Sequence, residues 1–199
     1  MKFFLVFIFI IQMSNVFGQR IFKDENDQII TEDVYNKTKT SRGFKVCNDS
    51  LQMCKIVVNR SEEGVLENAN LLDNLEKFLR IHLDKDKPTI IKFHPGKDLC
   101  NSGGIATPET SFRWHKESEE GLRKIKKSNV LYIYKNQENI KTIKKLEWYK
   151  DPKGIIESTF FKYHYPCGSY VIIYNNKYRS YFGEYSKDQI YKDLRKILK

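Results

Sequence analysis

Residues 90–104 read IIKFHPGKDLCNSGG. The stretch opens with β-branched and aromatic residues, the composition of a central strand buried on both faces. Pro95 and Gly96 then break it. Next comes a Gly-rich loop with a single cysteine, Cys100, and then Asn101-Ser102-Gly103-Gly104. A strand that runs into a cysteine-bearing loop is either a redox site or a structural position of similar shape. The rest of the chain decides between them.

Working outward, Leu71, Leu72, Leu75, Phe78, Leu79 and Leu83 recur at helical spacing, predicting an amphipathic helix over 67–82. A charged turn at 84–87 and Pro88 lead into the strand. After the loop, Thr107 and Pro108 form an N-cap and first-position pair, predicting a helix over 108–127. Phe112, Leu122 and Ile125 would face inward, and Gly121 weakens the pattern. His82 and His115 read as helix-surface residues, with Trp114 in partial core. VLYIY, 130–134, is the next strand, and 140–156 reads as a turn with a short helix. Tyr170–Tyr174 and Tyr178–Phe182 are two strands joined by Asn175-Asn176-Lys177, a tight hairpin signal. Ser186 caps a last helix, with Ile190, Leu194 and Leu198 on one side.

The order is therefore helix, strand, helix, strand, short helix, strand, strand, helix. Strand–helix–strand repetition implies a parallel pair, and the terminal hairpin adds an antiparallel one. The fold class is α/β.

Three segments carry a resemblance: KPTIIKF entering a cysteine-bearing loop and helix, YHYPCGSYVII, and NNKYRSYFGEYSKDQIYKDL. Over about residues 68–199 their order resembles the thioredoxin-like fold. The resemblance implies a three-layer sandwich, a central mixed sheet flanked by helices. It implies that Pro166 is a cis-proline facing the Cys100 loop, so that Cys167 lies close to Cys100. The family normally carries C-x-x-C in that loop, where one thiolate attacks a disulfide and the second cysteine resolves the intermediate. This chain has Cys100 alone there. Three relations between Cys100 and Cys167 stay open: a structural disulfide, a redox-active or substrate-bonding pair, or two unrelated thiols. His94 and His164 flank the same groove and are read as half-buried polar residues at a sheet end. A Cys/His metal site is a lesser reading, and neither metal nor cofactor is expected.

Ahead of this domain, residues 19–66 read as a polar arm, with one short strand at Ile29–Ile30, and a small hairpin, GFKVCNDSLQMCKIVV. Phe44–Cys47 and Cys54–Val58 flank an Asn-Asp-Ser turn. A hairpin brings Cys47 and Cys54 within disulfide reach.

Residues 1–18 combine Lys2, an apolar run from Phe3 to Ile11, and small residues Val16 and Gly18 before Gln19. That is the layout of a cleaved secretory signal peptide, too short for a membrane span of about 20 residues. The expected location is exported, periplasmic or secreted. Four cysteines in such a chain favour disulfides. Asn36, Asn48 and Asn59 match N-x-S/T, acceptors only in a glycosylating cell. Loss of residues 1–18 takes the charge from +10 to +9, 34 basic against 25 acidic side chains. Lysines 124, 126, 127, 141, 144 and 145 are grouped, but acids interleave elsewhere, so the charge reads as a solvated surface.

No Walker loop, G-x-S-x-G, H-E-x-x-H or EF-hand loop occurs. Gly103-Gly104 before a helix is a weak anion-binding signal. The tyrosines of 163–182 are strand formers before they are a nucleic-acid platform, and no nucleic-acid partner is expected. The functional expectation is an exported thioredoxin-like protein with a degenerate site, a binding module with structural disulfides whose groove beside Pro166 takes an extended peptide. The alternative is a thiol–disulfide oxidoreductase using Cys100 and Cys167 on a protein thiol or disulfide partner. The oligomeric state is not legible.

Overall fold

The computed structural model describes residues 20–40 and 43–199. The signal-peptide reading of residues 1–18 lies outside them. The described residues form a mixed α/β structure with two mixed sheets and six α-helices. None of those helices is long and apolar enough to cross a membrane.

The large sheet has the order β5-β10-β9-β6-β7-β8. Its strands are β5 (Ser61–Val65), β6 (Thr89–His94), β7 (Asn129–Tyr134), β8 (Trp148–Lys150), β9 (Ser169–Tyr174) and β10 (Lys177–Tyr181). Strands β6, β7 and β8 run parallel, while β9, β10 and β5 continue antiparallel from β6. Every residue of β6 is buried, the polar Thr89, Lys92 and His94 as well as Ile90, Ile91 and Phe93.

The pleat sorts the core into two faces. Ile91, Phe93, Val171 and Ile173 pack with Leu71 and Leu75 of α2 (Leu71–Leu79) and Ile156 and Phe160 of α5 (Ile155–Phe160). Ile90, Tyr170 and Ile172 pack with Leu122 of α4 (Pro108–Ile125) and Ile190 and Leu194 of α6 (Lys187–Ile197). Helices thus cover both faces.

The α4 start is as predicted: Thr107 caps it through the Thr110 N–H at 3.2 Å, with Pro108 first in the helix. Gly121 is where α4 meets α6, and a Cβ there would collide with the Tyr191 hydroxyl. What weakens the helix pattern locally permits the helix contact. The β9–β10 turn places Asn175 and Asn176 at φ 49° and 61°. Two left-handed residues are what a two-residue hairpin requires, so Lys177 begins β10.

The polar arm is more ordered than expected. β1 (Ile21–Lys23) and β2 (Ile29–Ile30) join β3 (Phe44–Asn48) and β4 (Met53–Val57) in a sheet of order β2-β1-β4-β3. Helix α1 (Glu32–Lys37) places Tyr35 on Phe22, Cys54 and Ile56. A few apolar residues spaced through a polar stretch suffice once β1 pairs with β4. Cys47 and Cys54 face each other across β3–β4 and form a disulfide, Cα–Cα 4.0 Å. Ser61–Val65, unassigned from sequence, is β5. β8 and then a 3₁₀ turn at Pro152–Gly154 occupy the stretch read as turn and short helix.

Candidate functional site

The site lies where β6 ends. After Pro95 and Gly96, Asp98 opens the short helix α3 (Leu99–Ser102). Its Oδ1 accepts the Asn101 N–H at 2.8 Å, and Asn101 Oδ1 accepts the Asp98 N–H at 3.0 Å. This reciprocal capping box fixes the loop that carries Cys100.

The approach to β9 meets it from across the sheet. Tyr165 is buried, stacked on Phe182 at 4.3 Å between ring centroids. Cys100 and Cys167 are joined in a disulfide, Cα–Cα 5.1 Å, across 67 positions of sequence. Two hydrogen bonds run parallel to that bond. The Cys167 N–H donates to Asp98 Oδ2 at 2.9 Å, and Asn101 Nδ2 donates to the Cys167 carbonyl at 3.4 Å. Asn101 also reaches the Gly96 carbonyl at 2.7 Å, and Asn139 donates to the Asn101 carbonyl.

Pro166 is not a cis-proline, which corrects the expectation taken from the resemblance: no peptide bond among the described residues is cis. The chain turns instead through Cys167, at φ 71°. Proline presets the first turn position, and the next residue supplies the left-handed φ. The disulfide and the Asp98 hydrogen bond hold Cys167 in a conformation that a β-carbon disfavours.

The bridge is at the surface. Cys100 is exposed and Cys167 half-buried. Leu99 and Ile105, on either side of Cys100, are 98% and 100% exposed. His94 is buried and donates from Nε2 to the Glu138 carbonyl at 2.8 Å. Burial lowers its pKa, and the Glu138 bond and Asp98 partly oppose this. His164 is exposed, its Nε2 3.6 Å from Asp98 Oδ2. Neither histidine is the half-buried residue read from sequence: His94 is buried and His164 exposed. Glu184 is a residue that sequence reasoning missed: its carboxylate and the two sulfurs lie within 4.8 Å of one another. The sulfurs are bonded to each other, and a closed tetrahedral zinc site needs four donors. Asp98 and Asn101 were also missed, although an Asp-x-x-Asn spacing after a strand is itself a capping signal.

Cys100 also lines a cleft of about 330 Å³, to which Ser111 and His115 of α4 contribute. Gly168, His94, Lys92 and Trp148 are among the other residues that line it. Lys92, from the middle of β6, is 2% exposed. Its Nζ donates to Ser118 Oγ at 3.0 Å and sits 5.3 Å from the ring centroids of Trp114 and Tyr132. Burial pulls its pKa down to about 7, with Glu119 opposing and Lys116 reinforcing. His115 is not the surface residue its helix position suggested. Its Nδ1 is buried without a hydrogen-bond partner among the described residues. Burial first, then Lys92 and Lys116, take its pKa to about 3. It packs edge-on against Trp114 and Tyr132 because β7 and β8 extend the sheet beneath α4.

Comparison with known protein families, curated proteins and solved structures gives no match.

Proposed function

We propose that this is an exported thioredoxin-like protein that exchanges its Cys100–Cys167 disulfide with thiols of protein partners. One observation carries the proposal: the bridge is exposed at Cys100, yet the loops it joins are also held by Asp98 and Asn101. A staple is most useful where nothing else restrains the segments. Here the bond can open while the loops stay in register. The strand order and the cysteine-bearing loop after β6 support the thioredoxin-like reading.

In the exchange, a partner thiolate attacks Cys100 Sγ, the more exposed sulfur. The Cys100–Cys167 bond breaks and Cys167 leaves as thiolate. A second partner thiolate then attacks the partner sulfur of the mixed disulfide and displaces Cys100. Two partner thiols become a disulfide, and the protein's disulfide becomes a dithiol. Leu99 and Ile105 offer apolar contact to an extended peptide around the sulfurs. Cys47–Cys54 is the less accessible bridge, with Cys54 1% exposed and Cys47 half-buried.

The test is a redox titration of residues 19–199, with thiols alkylated and peptides mapped by mass spectrometry. The exchange reading expects Cys100–Cys167 to open in the range of glutathione or protein disulfide isomerase, about −180 to −260 mV. Opening only below roughly −300 mV makes the bond a staple and the protein a binding module.

A further inference from the structure

The carboxylate of Glu184 and the sulfurs of Cys100 and Cys167 lie within 4.8 Å of one another. Three separate stretches of chain bring them there: α3, the approach to β9 and the turn after β10. With the bridge closed the sulfurs are bonded to each other and hold no metal. Reduction turns the same two atoms into thiols, and a thiolate is a strong ligand for soft and borderline-soft cations.

The stretch that carries Glu184 is fixed against the bridge. The Gly183 N–H donates to Oγ of Ser169, two residues beyond Cys167, at 3.1 Å. Gly183 takes φ 74°, and a Cβ there would come 3.3 Å from the Pro166 carbonyl. Arg60 donates to the Phe182 carbonyl at 3.0 Å and to the Glu184 carbonyl. The Glu184 backbone is thus held while its side chain, like Cys100, stays exposed and open to a cation. Neither nearby histidine completes the group: His94 Nε2 is engaged by the Glu138 carbonyl, and His164 Nε2 faces Asp98.

We propose that the dithiol form binds one Zn²⁺ through the thiolates of Cys100 and Cys167 and the carboxylate of Glu184, with the fourth position open to water. Zinc bonds of about 2.3 Å to sulfur and about 2.0–2.2 Å to oxygen put tetrahedral donors about 3.5–3.8 Å apart. Rotation of the Cys100 and Glu184 side chains covers the difference, while Asp98 and Asn101 keep hold of Cys167. Two thiolates disfavour Ca²⁺ and Mg²⁺, which take oxygen donors, and the carboxylate favours Zn²⁺ over Cu(I). The inference rests on the proposed opening of the bridge. Two partner thiols supply the electrons and become a disulfide, and zinc then displaces one proton from each cysteine thiol. Bound zinc holds the protein reduced and so regulates the exchange.

The probe is Zn²⁺ alone, titrated at pH 7.5 against a chromophoric chelator into residues 19–199. The protein is taken oxidised, and again after reduction with dithiothreitol and its anaerobic removal. The reduced form is expected to take one zinc with Kd at or below about 1 μM, and the oxidised form none. Zinc is expected to slow alkylation of Cys100 and Cys167, but not of Cys47 or Cys54, in mapped peptides. Cys100→Ser abolishes binding, and Glu184→Gln weakens it by at least roughly tenfold. Unchanged affinity in either variant overturns the proposal, as does protection confined to Cys47 and Cys54. If Cys100→Ser does not fold, the alkylation pattern of the unmodified protein decides. A bridge that opens and takes no zinc overturns this inference alone. A bridge that opens only below roughly −300 mV and then binds zinc overturns the exchange reading alone. One that stays closed under excess dithiothreitol overturns both.

Discussion

The Asp98 carboxylate and the Cys167 backbone N–H form a 2.9 Å hydrogen bond alongside the disulfide that Cys167 makes with Cys100. One side chain therefore caps α3 through Oδ1 and grips the approach to β9 through Oδ2. The covalent link and a hydrogen bond that positions the same loops thus lie side by side.

Removal of that second restraint makes the first matter more. In the unmodified protein, reduction of Cys100–Cys167 is expected to cost less than the about 2–4 kcal/mol typical of a disulfide. In Asp98→Ala, the gap in melting temperature between oxidised and reduced forms widens. Thermal melts of both proteins in both redox states measure this coupling.

Lys92 sets a pH dependence of stability. Its pKa is about 7 in the fold against 10.5 for the free side chain. Between these values the unfolded chain binds a proton that the folded one does not, so this group makes stability rise with pH. Below pH 7 both states are protonated and the penalty is constant. The buried tyrosines act oppositely: burial raises the pKa of Tyr132, Tyr165 and Tyr170, so their contribution is present below about pH 10 and is lost above it. Stability is expected to climb from pH 7 toward 10. Lys92→Met is expected to flatten that rise and to stabilise the protein at pH 7 by about 1–4 kcal/mol. Urea denaturation of both proteins from pH 6 to 10 checks it.

Asp193 is 1% exposed in α6 and holds three partners across to the sheet and along its own helix. It accepts from the Tyr170 hydroxyl at 2.5 Å, from Gln189 at 2.9 Å and from Arg179 at 3.3 Å. Asp193→Ala leaves a mostly buried guanidinium and a buried hydroxyl without this acceptor. The expected loss is about 3 kcal/mol, against about 1 kcal/mol for Tyr170→Phe, by chemical denaturation.

Gly121→Ala is expected to destabilise by about 1–2 kcal/mol, although alanine is the better helix former. The new methyl group displaces Tyr191, whose hydroxyl contacts the Glu117 and Ser118 carbonyls at 3.2 and 3.4 Å. Combined with Tyr191→Ala, the Gly121→Ala change becomes nearly neutral. A double-mutant cycle measures the compensation.

Legibility in the sequence was a matter of range. β6, the capped start of α4, the Asn175-Asn176 turn and the Cys47–Cys54 pair all have local causes: β-branching, a capping hydroxyl, left-handed asparagines, a short hairpin. β1, β5 and β8 are short and form because a distant strand edge accepts them, so no local pattern announces them. The α2 helix is nine residues, Leu71–Leu79, rather than 67–82, because Arg80 turns left-handed at φ 55° and ends it. The meeting of Cys100 and Cys167 was one of three open relations, and the turn at Cys167 replaced a cis bond at Pro166. Lys92 was passed over and His115 was read as a surface residue, because a lysine within TIIKF and a histidine on a charged helix look solvated until β7, β8 and α4 close around them.

The last strand of the large sheet, β5, pairs only with β10 among the described residues, and its outer hydrogen-bonding edge is open there. It carries exposed Glu62 and Glu63, with Val65 63% exposed beside them. Two copies pairing antiparallel through this edge would bring their carboxylates into one short ladder, a repulsive register. A partner extending a basic or neutral strand meets no such barrier. Charge on an edge strand thus sets which chains can be added to the sheet without like-charge repulsion.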